Sequence, residues 1–183
     1  MRSVSIGLFS ALMCICCVHF GAPRCPSQET SPRIAALQKQ LAAGDRGALD
    51  SFWQRIAQEG APMVETGAAE PRHVLVTFLW RAKGETRNVL LFSYALTFPD
   101  QVGIAQGQLA NLVGTDLWYK TYLMRDDAAF TYAFSPNDSL VPFQPQRLSN
   151  AQSDPLNPRR ASGLEMPQAS AVELSAAPLQ HHG

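Results

Sequence analysis

HVLVTFLWR, residues 73–81, contains no glycine, proline or acid, and β-branched and aromatic side chains occupy both of its alternating faces. Such a run predicts a strand buried, or nearly so, on both sides. Downstream, KGET at 83–86 supplies a Gly-containing turn, and NVLLFSYAL at 88–96 is expected to return as a second strand, most simply in a hairpin with the first. Residues 107–113 are a weaker third candidate. Gly114-Thr115-Asp116 reads as a turn, LWYKTYLM at 117–124 as a strand, Asp126-Asp127 as another turn, and 129–134 alternates with Phe130, Tyr132 and Phe134 on one face. Several short strands separated by turns predict an antiparallel sandwich over residues 70–160.

Upstream of residue 70 the hydrophobic period is helical. Ser31-Pro32 reads as an N-cap with proline in the first turn, after which Ile34, Leu37 and Leu41 recur at helical spacing until Gly44. Asp45 is the expected cap of a second helix, in which Leu49, Phe52, Trp53 and Ile56 form an apolar face that stops at Gly60. Residues 32–60 therefore make a helical hairpin, with Phe52 and Trp53 as core. Beyond Ser135 the texture changes, because Pro136, Pro142, Pro145, Pro155, Pro158, Pro167 and Pro178 interrupt every would-be element. The expectation there is a Pro-rich C-terminal extension, with 161–183 as a linker.

The first 26 residues combine Arg2, an uncharged apolar run from 4 to 22, and then Pro23, Arg24 and Pro26. This is the outline of a secretory signal peptide, with a membrane anchor as the alternative. Export leaves only Cys25 of the four cysteines, and one cysteine cannot close an intramolecular disulfide.

Fifteen Lys and Arg against fifteen Asp and Glu give a formal charge of zero, which argues against an electrostatic nucleic-acid binder. No GxSxG elbow, HExxH, CxxC pair in the folded part, GxGxxG or Walker loop occurs, so metal, nucleotide and cofactor sites have no sequence support. Of the histidines, His19 lies in the entry segment and His181 and His182 at the end, which leaves His73 as the one folded candidate for a base. Asp126-Asp127, Glu165 and Glu173 do not have the pattern of paired catalytic carboxylates. What remains is aromatic and cationic surface. Trp80-Arg81 and Trp118-Tyr119-Lys120 can stack on, or pair with, a flat anionic ligand. The alternative is that both tryptophans are core between sheets and that Arg81 anchors the 154–158 segment through a carboxylate.

Four phrases occur in order: His73-Val-Leu-Val-Thr-Phe-Leu-Trp-Arg81, Gly114-Thr-Asp-Leu-Trp-Tyr-Lys-Thr-Tyr122, Phe130-Thr-Tyr-Ala-Phe134 and Asp154-Pro-Leu-Asn-Pro-Arg159. Together they resemble the N-terminal domain of the enterochelin esterases, and Gly163-Leu-Glu-Met-Pro167 resembles the step by which that domain leads into an α/β-hydrolase domain. The resemblance covers roughly residues 32–174. It implies an early-set, immunoglobulin-like β-sandwich and an association with hydrolysis of ferric siderophore esters for iron acquisition.

These residues offer no positions for the serine, acid and histidine of the hydrolase. The expectation is thus a noncatalytic module, from a truncated or split gene or free-standing, whose partners are an α/β-hydrolase domain or chain and a ferric catecholate siderophore. Arg81, Trp118 and Tyr119 are the candidate ligand contacts. The alternative function is a carbohydrate-binding or purely structural interaction module of a secreted protein. The entry segment places the chain in the periplasm or outside the cell, against the cytoplasmic location typical of the family.

Overall fold

The computed structural model describes residues 30–97, 100–161 and 168–176. In chain order the elements are α1 (Pro32–Ala42), α2 (Ala48–Glu59), β1 (Met63–Glu65), β2 (His73–Arg81), β3 (Val89–Phe92), α3 (Gln101–Gly107), β4 (Ala110–Asn111), β5 (Leu117–Arg125), β6 (Ala129–Pro136), α4 (Gln146–Asn150) and β7 (Ser170–Glu173). The segment read as a signal or anchor, the Gly163–Pro167 step and the residues from 177 onward lie outside the described residues.

The helical hairpin forms where its pattern predicts. Ser31 Oγ accepts the Ile34 amide at 3.2 Å, and Pro32 sits in the first turn, where a missing N–H costs nothing. Glu65 on β1 takes the Ser31 hydroxyl and accepts the Arg33 amide at 3.0 Å, which ties the start of the helix to the sheet. Gly44, at φ 85°, supplies the left-handed residue that turns the chain out of α1. The cap of α2 is Gly47 rather than Asp45. The Asp45 carboxylate is spent on the turn, accepting the Gly47 amide at 2.9 Å.

Two antiparallel sheets follow, ordered β1-β2-β5-β4 and β3-β6-β7. β2 is central in the first, paired with β5 from His73↔Arg125 to Arg81↔Leu117. Its alternate residues Val74, Val76, Phe78 and Trp80 pack against Val89, Leu91, Tyr132 and Phe134 of the second sheet. Leu79, on the other face, joins Ile34, Leu37, Phe52, Trp53 and Ile56 of the helices. The strand is therefore covered on both sides, which is why its sequence carries no polar face. Aromatic edge-to-face contacts stiffen the inter-sheet layer, Phe78 to Tyr132 at 4.8 Å and Trp80 to Phe134 at 5.4 Å.

The expected hairpin between 73–81 and 88–96 does not form. β3 is confined to Val89–Phe92 and pairs with β6 in the other sheet, because β1 and β5 already occupy both edges of β2. The third strand expected over 107–113 shrinks to the two residues of β4, preceded by α3, whose Asp100 side chain accepts the Gly103 amide at 2.8 Å. The stretch read as a linker also returns to the fold, since β7 pairs with β6 from Ala129↔Glu173 to Tyr132↔Ser170.

Gly107 marks the tightest approach between α3 and β3. A Cβ there would lie 2.5 Å from the Leu91 carbonyl oxygen and 3.0 Å from Leu90 Cδ1. Gly107→Ala is expected to lower stability by about 1–3 kcal/mol, the range of an overpacked site. Urea unfolding followed by tryptophan fluorescence measures this, and an unchanged midpoint would mean that α3 is not pinned to β3.

Candidate functional site

The three residues expected to contact ligand come from neighbouring positions on β2 and β5 but divide between two faces. Arg81 and Tyr119 are on the helix-facing side with Leu79 and Leu117, whereas Trp118 stands opposite Trp80 on the inter-sheet side. Arg81 Nε donates to Asp116 Oδ2 at 2.7 Å, and its guanidinium carbon lies 5.3 Å from the centroid of the Trp53 ring. Trp53 Nε1 donates to the other oxygen of the same carboxylate at 2.8 Å. Asp116 thus joins a buried indole to a half-exposed guanidinium. The carboxylate that Arg81 was expected to find in the 154–158 segment is supplied instead by the turn before β5. Tyr119 packs partly on the helical cluster and accepts from Gln38 Nε2 at 3.5 Å. Trp118 is partly buried against the inter-sheet core.

Lys120 and Tyr122 share the inter-sheet face of β5 with Trp118. The Lys120 Nζ stands 5.9 Å from the Tyr122 ring centroid, and desolvation lowers the lysine's pKa. Tyr122 donates to the Gln106 carbonyl at 2.9 Å, and burial raises its phenol well above the ordinary range. This part of β5 combines a cation with two aromatic rings.

Asp154-Pro155-Leu156-Asn157-Pro158, the most distinctive phrase of the sequence, is an interior fastening. Tyr132 Oη donates to Asp154 Oδ2 at 2.7 Å, the Leu156 amide donates to Asp154 Oδ1 at 2.8 Å, and Asn157 Nδ2 reaches both Tyr132 Oη and the Ala171 carbonyl. Burial raises the pKa of Asp154 in spite of these bonds, and burial beside that carboxylate drives the Tyr132 phenol far up. Outside the fastening, Pro155–Arg160, the C-terminal end of α2 and Ala171–Leu174 line a groove of about 660 Å³. Arg159 and Glu173 face one another across it at 3.9 Å. Sequence reasoning missed the groove because β7 was not foreseen.

His73, the one histidine among the described residues, is held by its own loop. Its Nδ1 donates to the Pro71 carbonyl at 2.8 Å and lies 3.8 Å from Glu70. Asp126 and Asp127 pair with Arg72 and Arg125. The hydrogen bond and charge of Arg125 hold the Asp127 carboxyl down at about 2, the behaviour of an ion-paired turn rather than of a general acid.

A family model described as the N-terminal domain of enterochelin esterase matches residues 75–182. The iron(III) salmochelin esterase of Escherichia coli is 34% identical over 110 residues, which are 59% of this chain and 25% of that protein. The chain therefore spans about a quarter of the length of this curated relative. Among solved structures, the ferric enterobactin esterase of Salmonella typhimurium aligns over 72% of this chain and 38% of its own, at 24% identity and a TM-score of 0.56. An enterochelin esterase from Shigella flexneri aligns over 71% and 36%, at 26% identity and a TM-score of 0.53.

Proposed function

Because the chain belongs to the enterochelin esterase N-terminal domain family, we propose that these residues form the noncatalytic module of a siderophore-ester hydrolase, an early-set immunoglobulin-like sandwich that works beside an α/β-hydrolase domain or chain in iron acquisition. The observation that carries this reading is the match over residues 75–182, which includes the strand pair β2–β5 and the Asp154–Pro158 fastening. Relatives of this kind are named for esters of ferric enterobactin and salmochelin, and the ligand proposed here is a ferric catecholate of the same chemistry. The apolar run at 4–22 supports export, which mass spectrometry of the N-terminus from a periplasmic fraction tests directly.

Catalysis is assigned to the partner. The sequence has no nucleophile elbow, and His73 is committed to Pro71. The module supplies contacts. Arg81, with Tyr119 on the same face, is the cation beside an aromatic, and Trp118, on the other face, stands near Lys120 and Tyr122.

Purified chain is expected to leave enterobactin intact over the time in which a complete esterase consumes it; turnover abolished by replacing one serine would overturn the noncatalytic assignment. In the binding experiment, ferric enterobactin is titrated against tryptophan fluorescence in wild type, Arg81→Ala and Trp118→Ala. Saturable quenching weakened by Arg81→Ala in a folded variant supports the helix-facing contact. Quenching that survives both substitutions moves the contact elsewhere. Absence of quenching assigns recognition wholly to the hydrolase.

A further inference from the structure

A second concave site lies away from Arg81 and from the groove, between the loop before β3 and the segment joining β6 to α4. It is a cleft of about 410 Å³ whose lining is dominated by amides, with Asn88, Asn137, Gln144, Gln146 and Asn150 among its walls and the buried Arg147–Asp138 pair within it. That volume falls in the roughly 300–1,000 Å³ range of small-molecule sites.

The cleft is held in shape by bonds between its two walls. Asn137 Oδ1 accepts the Arg87 amide at 2.8 Å and its Nδ2 donates to the Glu85 carbonyl at 3.2 Å, while Asn88 Nδ2 donates to the Asp138 carbonyl at 3.1 Å. Beneath them Arg147, with its side chain 2% exposed, donates from Nε and Nη2 to both oxygens of Asp138 at 2.9 Å and from Nη2 to the Val141 carbonyl. Leu140 and Phe143 stand at φ 58° and 52° in the same loop, a backbone that is unfavourable for bulky residues. The buried ion pair keeps the loop there against that cost, so the cleft is a preformed shape.

Its unused hydrogen-bonding capacity indicates what fits. Asn88 Oδ1 is a buried acceptor without a partner among the described residues. Gln146 and Asn150, four residues apart on one face of α4, are exposed. Each amide offers two donors and an acceptor, the complement of adjacent hydroxyl groups, which both donate and accept. The Arg147–Asp138 pair is neutral as a unit, which leaves Arg87 as the net charge of a lining otherwise made mostly of amides.

We propose that this cleft binds a polyhydroxylated ring, a monosaccharide or a sugar-bearing group of a larger ligand. This goes beyond the siderophore-ester reading and does not depend on it. The test uses the full 183-residue chain and four probes, glucose, galactose, mannose and N-acetylglucosamine, followed by saturation-transfer NMR and calorimetric titration, in wild type and in the double variant Gln146→Ala/Asn150→Ala. At least one sugar is expected to bind saturably, and the loss of two hydrogen-bonding amides to weaken it by about tenfold with an unchanged melting midpoint. No saturable binding of any probe, or equal binding by the double variant, overturns the proposal. Displacement of the sugar by sulfate also overturns it, because the cleft would then be an anion site built on Arg87.

Discussion

Arg147→Met is expected to cost about 3–5 kcal/mol of stability, the loss found when one partner of a buried ion pair is removed. Arg147 and Asp138 are 2% and 3% exposed at the side chain and share two bonds of 2.9 Å. The penalty arises from what is left behind, since Asp138 would remain in the interior without its counter-charge, with the Leu140 amide donating to it at 2.7 Å and the Ser135 hydroxyl beside it. The Val141 carbonyl would also lose its donor, and with it the loop that stands at positive φ. Adding Asp138→Asn to the methionine variant should recover more than half of the loss, because a neutral amide still accepts from Leu140 without a stranded charge. Urea unfolding of the two variants measures both effects. A single variant within 1 kcal/mol of wild type, about the value of an exposed pair, would show that water reaches the carboxylate.

The pH dependence of this loss has a defined sign. Burial works against ionisation of Asp138, but the bonds from Arg147, Ser135 and Leu140 prevail, so its pKa in the folded chain lies below the ordinary value. A carboxyl lowered by folding contributes stability above its unfolded pKa of about 3.9, and this is lost as pH falls through the folded value. The gap between wild type and Arg147→Met should therefore be full at neutral pH and narrow below about pH 4.

What the sequence disclosed follows from which signals are local. The two helices were legible because Ser31-Pro32, Gly44 and Gly60 punctuate runs of apolar residues at helical spacing, and those signals act within one turn. β2, β5 and β6 were legible as strands, and the nine-residue β2 even as a strand covered on both faces. Pairing was not legible. Whether 89–92 returns to β2 or crosses to β6 depends on what already occupies the edges of β2, and β1, three residues long, gives almost no signal of its own. β7 escaped for another reason. Four residues, Ser170–Glu173, lie in a Pro-rich region whose local texture is that of a linker, and only the pairing with β6 reveals them as strand.

For the candidate site, the sequence groups Arg81, Trp118 and Tyr119, and the pleat of the strands divides them. Trp118 and Tyr119 are adjacent in sequence and therefore point to opposite faces of β5, Tyr119 to the face that carries Arg81 and Trp118 to the face that carries Lys120 and Tyr122. The alternative for Arg81, a carboxylate in the 154–158 segment, is replaced by one from Asp116, at the start of the paired strand. The amide cleft was invisible because its walls are fifty residues apart in the chain, as the Arg87 to Asn137 bond shows.

Asp154→Ala is expected to destabilise the fold by about 2–4 kcal/mol, since it orphans two donors at roughly 1–3 kcal/mol each, the buried Tyr132 hydroxyl and the part-buried Leu156 amide. The consequence reaches β7, because Tyr132 pairs with Ser170 in the sheet and its hydroxyl accepts from Asn157, which in turn holds the Ala171 carbonyl. Tyr132→Phe removes one donor and should cost about 1 kcal/mol, and the double variant should cost less than the sum, with a coupling of about 0.5–3 kcal/mol. Additive losses would mean that the two groups act apart. Here the pH sign is opposite to that of Asp138. Burial raises Asp154, so the folded chain holds its proton more tightly than the unfolded one, and the stability linked to that proton is complete below about pH 3.9 and is lost as pH rises through the folded pKa. Asp154→Asn, which cannot ionise, should gain on wild type across that interval, whereas a constant difference from pH 3 to pH 7 would show that folding leaves the carboxyl's pKa unshifted.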